Sequence, residues 1–143
     1  MAYLSTDLPM PEPSPEARPF WEYCRQKRLM FQRCGDCGQA VHPPSALCPA
    51  CQSAHRTWVA APAEARVFTY TVVHHAADDS VVGAVPYNVA VVEFPGLDGV
   101  RLVSNVIDAT AGAIHVGMAL RLVWEAGPNR QWLPRFARET GDG

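Results

Sequence analysis

Two Cys-x-x-Cys pairs are the clearest chemical signal in the sequence. Four of the 5 cysteines form these pairs, Cys34 with Cys37 and Cys48 with Cys51, and ten residues separate one pair from the other. Closely spaced thiols of this kind either exchange electrons as a redox centre or bind a metal ion as thiolates. These two chemistries need different structures around the sulfur atoms, so the surrounding sequence discriminates between them.

Metal binding is the interpretation that the surrounding sequence favours. A thioredoxin-type redox centre needs one Cys-x-x-Cys pair at the start of a helix within a βαβ pattern, and neither pair has that context. In a zinc ribbon, two tight turns face each other and complete a tetrahedron of thiolates, and Gly35, Gly38 and Pro49 suit such turns. Redox chemistry stays the alternative. We predict a zinc site with four ligands, namely Cys34, Cys37, Cys48 and Cys51.

A zinc ion with four protein ligands would be structural, because no coordination position is left for water or substrate. His42 and His55 lie close to the pairs in sequence, but four thiolates already complete the ligand set. We therefore expect surface or supporting roles for both histidines. Cys24 stands apart from the pairs, and we expect it to be a small buried apolar residue.

The composition narrows the class of protein. A chain of 143 residues has room for one modest domain and a small module. Its net charge of -2 does not favour nonspecific binding to nucleic acid. No apolar run approaches the roughly 18 residues of a membrane span, and the N-terminus lacks the basic and apolar regions of a signal peptide. We expect a cytoplasmic protein with no nucleic-acid partner and no membrane span.

Three regions follow one another along the chain. Residues 1–28 combine an extended arm, with prolines at positions 9, 11, 13 and 15, and a docking helix from Pro19 to about Lys27 with Phe20 and Trp21 on its aromatic face. Residues 29–60 form the predicted ribbon. A short hinge, Ala60 to Ala63, leads into residues 61–143, which form a β domain.

The β domain has five candidate strands, which are rich in β-branched and aromatic residues. A glycine-containing hairpin loop, PGLDG, separates the second from the third, and a turn or short helix around residues 108–116 precedes the fourth. Strand number and this interruption favour a small antiparallel OB-fold barrel, with a small sandwich as the alternative. The candidate strands span residues 67–73, 87–94, 100–106, 119–125 and, more weakly, 131–136.

Side chains for catalysis are harder to find. The densest titratable cluster, His74, His75, Asp78 and Asp79, follows the first barrel strand. A histidine beside a carboxylate could act as a general base, but no nucleophile motif or phosphate loop accompanies the cluster, so a solvated polar loop is the favoured interpretation. Several arginines, Arg135 among them, are scattered along the chain. A subset could converge on a phosphorylated ligand, but solvated surface or an ion pair is the favoured interpretation for each of them.

The order of these segments resembles a known family, the acyl-CoA-associated proteins with a zinc ribbon and an OB-fold, long described as a domain of unknown function. The resemblance runs through FWEYCRQKRLMFQRCGDCG, HPPSALCPAC, TYTVVHH, PYNVAVVEF, RLVSNVID, IHVGMALRLVWE and LPRF. Three positions depart from the pattern, because Lys27, Ala63 and Ala65 stand where the family often has glycine. Loss of glycine's freedom to adopt positive φ is expected to change the hinge between ribbon and barrel.

The resemblance implies a fold and a role. It implies a mainly β chain with an N-terminal helix, in which a rubredoxin-like zinc ribbon precedes an OB-fold barrel. It also implies a noncatalytic accessory subunit of a thiolase-like enzyme of the lipid-transfer-protein type, an aldolase or thiolase that acts on acyl-CoA thioesters, for instance in degradation of steroid or lipid side chains. Such a subunit would aid assembly and help to bind or channel acyl-CoA, which is a possible ligand.

Three alternatives to this role stay open. The chain could instead serve a hot-dog-fold enoyl-CoA hydratase complex, which the same resemblance implies. It could be an independent acyl-CoA enzyme with His74 or His75 as base. It could also bind single-stranded nucleic acid on barrel aromatic residues, although the acidic balance argues against this.

Overall fold

The protein consists of a helix, a small three-stranded sheet and a curled five-stranded sheet. The computed structural model describes Tyr3, Leu4, Met10 and residues 12–139. No helix in these residues is long and apolar enough to cross a bilayer. The elements in chain order are α1 Arg18–Arg25, β1 Met30–Cys34, β2 Ala40–Val41, β3 Arg56–Ala60, β4 Ala65–Val73, β5 Tyr87–Glu93, β6 Arg101–Ser104, β7 Ala119–Ala126 and β8 Trp132–Arg138.

The helix α1 packs on the protein's own core. Pro19 lies in its first turn, where a missing backbone N–H costs nothing. Phe20 and Cys24, one turn apart, are both buried, and Phe20 is only 3% exposed. The expectation that Phe20 is free to dock on a partner is therefore wrong, because its ring already fills the space between helix and ribbon.

Lys27 ends the helix in the backbone conformation that glycine usually supplies. Its φ is 56°, in the left-handed region that L-residues avoid. Its ammonium group lies 3.9 Å from the centroid of the Trp132 ring, and this cation–π contact offsets part of the cost. The turn after α1 is thus kept without glycine. Ala63 and Ala65 are not among the described residues with positive φ.

The ribbon sheet is built around its first strand. The strand order is β2-β1-β3, and both pairings are antiparallel. Met30 lies opposite Ala60 at one end of the β1–β3 ladder, and Cys34 lies opposite Arg56 at the other. The sheet therefore carries Cys34 to the end farthest from the barrel connection, where the second cysteine pair can approach it.

The larger sheet curls into an OB-type half-barrel, as the sequence predicts. Its strand order is β6-β5-β4-β7-β8, with antiparallel neighbours throughout. A parallel bridge between Val106 and Phe136 brings its two edges together. All five predicted strands are present, although the third ends earlier than expected, at Ser104.

Two local irregularities, a proline in β8 and a register shift in β4, are features that the strand pattern of the sequence does not show. Pro134 lies inside β8, which is an edge strand that pairs only with β7 along its length, and edge strands tolerate the missing N–H of proline. A register shift between Val67 and Thr69 leaves Phe68 41% exposed. Strict alternation cannot predict the direction of a side chain at such a bulge.

One continuous hydrophobic core joins helix, ribbon and barrel. Phe31 of β1 is completely buried, and its ring lies 5.1 Å from that of Phe94 in the barrel. The same ring lies 6.4 Å from Phe20 of the helix and 5.2 Å from His42 of the ribbon. The ribbon is therefore packed on the barrel through shared aromatic contacts.

Candidate metal centre

The four paired cysteine side chains meet at one end of the ribbon. Their sulfur atoms all lie within 4.8 Å of one another. The Sγ atoms of Cys34 and Cys51 are 3.5 Å apart, and those of Cys37 and Cys48 are 3.6 Å apart. A disulfide would need about 2.05 Å, whereas a tetrahedral zinc ion with bonds of about 2.3 Å separates its sulfurs by about 3.8 Å. The spacing fits a zinc ion between the four thiolates.

Two tight turns with the same backbone pattern place these sulfurs. In the first, the N–H of Gly38 donates to the carbonyl of Cys34 at 3.1 Å, and in the second the N–H of Gln52 donates to the carbonyl of Cys48 at 2.7 Å. The residue after each pair has positive φ, 80° at Gly38 and 64° at Gln52. Gly38 adopts this conformation freely, whereas Gln52 is strained.

Backbone amides point at the sulfurs and favour their ionised form. The N–H groups of Asp36 and Cys37 each lie 3.4 Å from Cys34 Sγ, and that of Ala50 lies 3.4 Å from Cys48 Sγ. Hydrogen bonds from Cys37 and then Asp36 lower the pKa of Cys34 to about 6. Amide donors of this kind stabilise the negative charge of thiolate ligands.

Full ionisation of all four thiols is unfavourable without a cation. The amide of Ser53 lowers the pKa of Cys51, but its hydrogen bond with Cys34 and burial outweigh that effect and raise the pKa to about 12. Four thiolates this close together repel one another, and a divalent ion removes this repulsion when it displaces the remaining protons.

A polar network outside the sulfurs ties the two turns together. Asp36, between the cysteines of the first pair, accepts a hydrogen bond from the hydroxyl of Ser53, just after the second. The Nδ1 atom of His55 lies 3.0 Å from Asp36 Oδ2. Hydrogen bonds from Ser53 and then His55 lower the pKa of Asp36. The supporting role expected for His55 is consistent with this contact, whereas the sequence analysis assigned no role to Asp36 or Ser53.

Replacement of Asp36 by alanine is expected to weaken zinc retention by about 10-fold, at the low end of the effect of residues that orient metal ligands. The effect is small because the Asp36 side chain is 54% exposed. Competition with a chromophoric chelator measures it. Asp78→Ala is the matched control, because Asp78 makes the same kind of contact, with Ser80, far from the ribbon in sequence. Equal zinc affinity in Asp36→Ala and Asp78→Ala would contradict a role for Asp36 in holding the two turns together.

The remaining ribbon and helix residues lie away from the sulfurs. Cys24 is completely buried, and burial raises the pKa of its thiol to about 12, so it is an unreactive apolar side chain, as expected. His42 packs against Phe20 and Phe31 with ring centroids 5.1 and 5.2 Å apart. Burial lowers its pKa to about 4, which keeps the imidazole neutral at physiological pH.

The titratable cluster after β4 lies on an exposed loop. Its four members, His74, His75, Asp78 and Asp79, are all exposed. The carboxylate of Asp78 accepts hydrogen bonds from the amide and the hydroxyl of Ser80, at 2.8 and 2.6 Å. Neither histidine makes a hydrogen bond or ion pair with another described residue, so the loop has the geometry of a solvated turn.

Sequence comparison assigns both regions of the chain to one family. Residues 21–56 match the family described as "ChsH2, rubredoxin-like zinc ribbon domain", and residues 58–125 match "ChsH2, C-terminal OB-fold domain". The chain belongs to the ChsH2 family. The family described from the resemblance of the sequence is thereby confirmed, as is the combination of zinc ribbon and OB-fold.

A curated relative of this ChsH2-family chain comes from Thermomonospora curvata and is named "Probable enoyl-CoA hydratase alpha subunit". It is 39% identical over 118 residues, which cover 82% of this chain. The same match covers 36% of the relative, so the chain spans about a third of that protein's length.

Two solved structures share the architecture. A chain of the "Ltp2-ChsH2(DUF35) aldolase" is 32% identical, with a TM-score of 0.81, and the match covers 90% of this chain and 98% of that one. A DUF35-family protein of unknown function from Sulfolobus solfataricus is 22% identical, with a TM-score of 0.64 over 88% of this chain and 87% of that one. The second likeness supports the fold alone.

Proposed function

We propose that this chain is a noncatalytic accessory subunit of a thiolase-like aldolase or thiolase complex of the lipid-transfer-protein type, which acts on acyl-CoA thioesters. The observation that carries the proposal is the match to nearly the whole of a chain from an aldolase complex, at 98% coverage and a TM-score of 0.81. The partner subunit would supply the catalytic residues. Degradation of steroid or lipid side chains in the cytoplasm is the proposed setting.

Within this role, Cys34, Cys37, Cys48 and Cys51 hold a structural zinc ion. The sulfur spacing and the amide donors support this assignment. When bound, the ion crosslinks the two tight turns and neutralises the thiolates. The chain's own residues then present a rigid surface, because β1 connects the metal centre directly to the aromatic core.

The barrel side of the molecule offers an apolar surface for the partner and the acyl-CoA path. Val103 on β6 is 64% exposed, and Phe68 on β4 is 41% exposed. The guanidinium carbon of Arg101 lies 3.7 Å from the centroid of the Phe68 ring. Exposed apolar side chains beside an arginine are common in protein interfaces.

An enoyl-CoA hydratase complex is the second candidate. The name of the Thermomonospora curvata relative favours it, since that protein is called a hydratase alpha subunit. This chain matches only 36% of that relative, whereas it matches 98% of the aldolase chain. The aldolase partner is therefore the first choice.

Co-expression with a thiolase-like subunit from the same genome tests the proposal. We expect a stable hetero-oligomer on size exclusion that cleaves a 3-hydroxyacyl-CoA into two carbonyl products, whereas this chain alone is inactive. The second candidate would be favoured if a complex with hot-dog-fold subunits hydrates the corresponding enoyl-CoA and the complex with the thiolase-like subunit cleaves no carbon–carbon bond. Full activity of the isolated chain would overturn both.

Replacement of both His74 and His75 by alanine is expected to leave turnover of the assembled complex within about 2-fold of the original. Both side chains are exposed, and a general base would contribute about 100-fold or more. Steady-state kinetics on the purified complex measure this. A large loss of kcat with assembly intact would instead support the independent-enzyme hypothesis.

A further inference from the structure

A cavity of about 350 Å³ lies where the helix, the turn after β2 and the edge of β8 meet. Its walls are mainly apolar and include Phe20, Trp21, Pro43 and Leu133. Volumes of about 300–1,000 Å³ with few polar groups are typical of small-molecule sites. Four separate parts of the chain build this one, because β6 also contributes Arg101 and Val103, and the metal centre uses none of these residues.

Arg135 is the unusual member of the cavity wall. Its side chain is only 17% exposed, and its Nε atom lies 3.8 Å from Oε2 of Glu125, too far for a hydrogen bond. The Nε atom is buried without a hydrogen-bond partner in the described part of the protein. Burial lowers the pKa of Arg135, an effect that Glu125 opposes, yet an arginine stays protonated in a protein.

This arrangement leaves a largely desolvated cation whose Nε–H donor is unused. Oε2 of Glu125 instead accepts a hydrogen bond from the backbone amide of Tyr3, at 3.0 Å, so its charge is only partly available to Arg135. A buried charge that lacks hydrogen bonds is costly, and a guanidinium group is shaped to bind a planar carboxylate through two parallel hydrogen bonds. A ligand carboxylate would supply the hydrogen bonds that Glu125 does not make with Arg135.

The other polar groups of the cavity define the charge of the ligand. His42 is neutral at physiological pH for the reason given above, and its Nδ1 atom is buried without a partner among the described residues. Arg101 lines the cavity, but its guanidinium group lies over the Phe68 ring. The positive charges of Arg135 and Arg101 together exceed the negative charge of Glu125 by one. This excess of one positive charge suits a monoanion better than a phosphate dianion.

We propose that this cavity binds a small monocarboxylate with an apolar body, such as a medium-chain fatty acid, with its carboxylate paired to Arg135. The apolar body lies against Trp21 and Leu133, and the neutral imidazole of His42 offers one further hydrogen bond. The cavity adjoins the exposed barrel surface described above, because Arg101 and Val103 line it as well. The proposal does not rest on the accessory role, because a free carboxylate lacks the CoA group of a thioester.

Isothermal titration of the full-length chain with octanoate tests the site. Octanol supplies the same apolar body without charge, and inorganic phosphate supplies charge without the body. We expect octanoate to bind saturably at one molecule per chain, at least about 10-fold more tightly than octanol, from the charge-assisted hydrogen bonds. Phosphate should not compete. Absence of octanoate binding, or displacement of octanoate by phosphate, would overturn the proposal.

Substitutions then assign the carboxylate to Arg135. Arg135→Met is expected to weaken octanoate binding by about 10-fold to 100-fold while octanol binding changes little. Arg138→Met is the matched control on the same strand, because Arg138 pairs with Asp108 at the surface, 3.7 Å away. Equal losses in the two arginine variants, or no loss in Arg135→Met, would refute the assignment.

A variant with the opposite expected sign guards against simple misfolding. Glu125→Gln removes the carboxylate that competes for Arg135, while its amide oxygen can still accept the Tyr3 N–H. We expect octanoate to bind severalfold more tightly to this variant, because the positive charge of Arg135 is no longer partly neutralised by Glu125. Weaker binding than in the original protein would contradict the proposed ion pair.

Discussion

Replacement of Cys48 by serine is expected to abolish stoichiometric zinc binding and to unfold the ribbon. A serine hydroxyl is not a thiolate, so the site loses one of four ligands and the charge that holds the ion. The apparent free energy of zinc binding in small structural sites is about 10–16 kcal/mol, which exceeds the total stability of many domains. Removal of the metal with a strong chelator is expected to have the same effect on the unsubstituted protein.

Elemental analysis and near-ultraviolet circular dichroism measure this result. We expect close to one zinc ion per original chain and less than about 0.1 per chain in Cys48→Ser, by the lost binding free energy. Cys24→Ser makes the same chemical change at a buried cysteine outside the cluster, so it should lose stability but keep its zinc. A folded, zinc-free Cys48→Ser protein would refute the structural role of the ion, and one zinc ion per chain in this variant would refute Cys48 as a ligand.

The damage is expected to spread beyond the ribbon. Leu29, Phe31 and Ala40 of the ribbon belong to the same hydrophobic cluster as Phe94 and Phe136 of the barrel. A ribbon that unfolds withdraws these side chains and exposes the barrel face that they cover. The barrel, as well as the ribbon, should therefore begin to unfold at a lower temperature in the zinc-depleted protein than in the zinc-bound protein. The environment of Trp124 in the barrel reports this change.

The ribbon and the strands could be predicted because their signals are local. A Cys-x-x-Cys turn needs only neighbouring residues, so the spacing alone indicated the thiol cluster that the structure brings together. The same holds for β4, β5 and β7, where runs of β-branched residues mark the strands. Ala61 and Pro62, which belong to the expected hinge, follow directly after β3 ends at Ala60.

Features that depend on residues far apart in sequence could not be predicted. Asp36 and Ser53 are 17 residues apart, and their hydrogen bond exists only because the two turns face each other. The carboxylate between the cysteines was the available signal for it. Phe20 looked exposed because nothing in the helix itself shows that Phe31 and His42 cover it. Arg135 is surrounded by the helix, by the turn after β2 and by β6, which are distant in sequence, so the sequence of β8 alone does not show that it is buried.

A closed metal centre and a shared aromatic core suggest how the accessory role would operate. The ion would fix the far end of β1, and Phe31 in the same strand contacts the barrel at 5.1 Å between rings. The orientation of the ribbon on the barrel is then set by packing, because the alanine-rich connection after β3 has little side-chain volume of its own. A partner that binds both parts needs this fixed orientation.

Replacement of Phe31 by alanine is expected to lower the free energy of unfolding by about 3–5 kcal/mol, the usual effect of removing a fully buried phenylalanine. The ring is completely buried and contacts helix, ribbon and barrel, so the cavity left behind opens at the point where all three meet. Chemical denaturation, followed by circular dichroism, measures the change.

The matched control and the zinc content separate lost packing from lost metal. Phe68→Ala removes the same ring from a site that is 41% exposed, so only the contact with Arg101, about 0.5–1 kcal/mol, should be lost. Phe31→Ala should keep one zinc ion per chain, since its side chain lies in the core and the two cysteine turns remain intact. It should nevertheless assemble poorly with the partner, because the ribbon is no longer held on the barrel. A loss below about 1 kcal/mol, comparable to the exposed control, would show that the ribbon is oriented by something other than this aromatic contact.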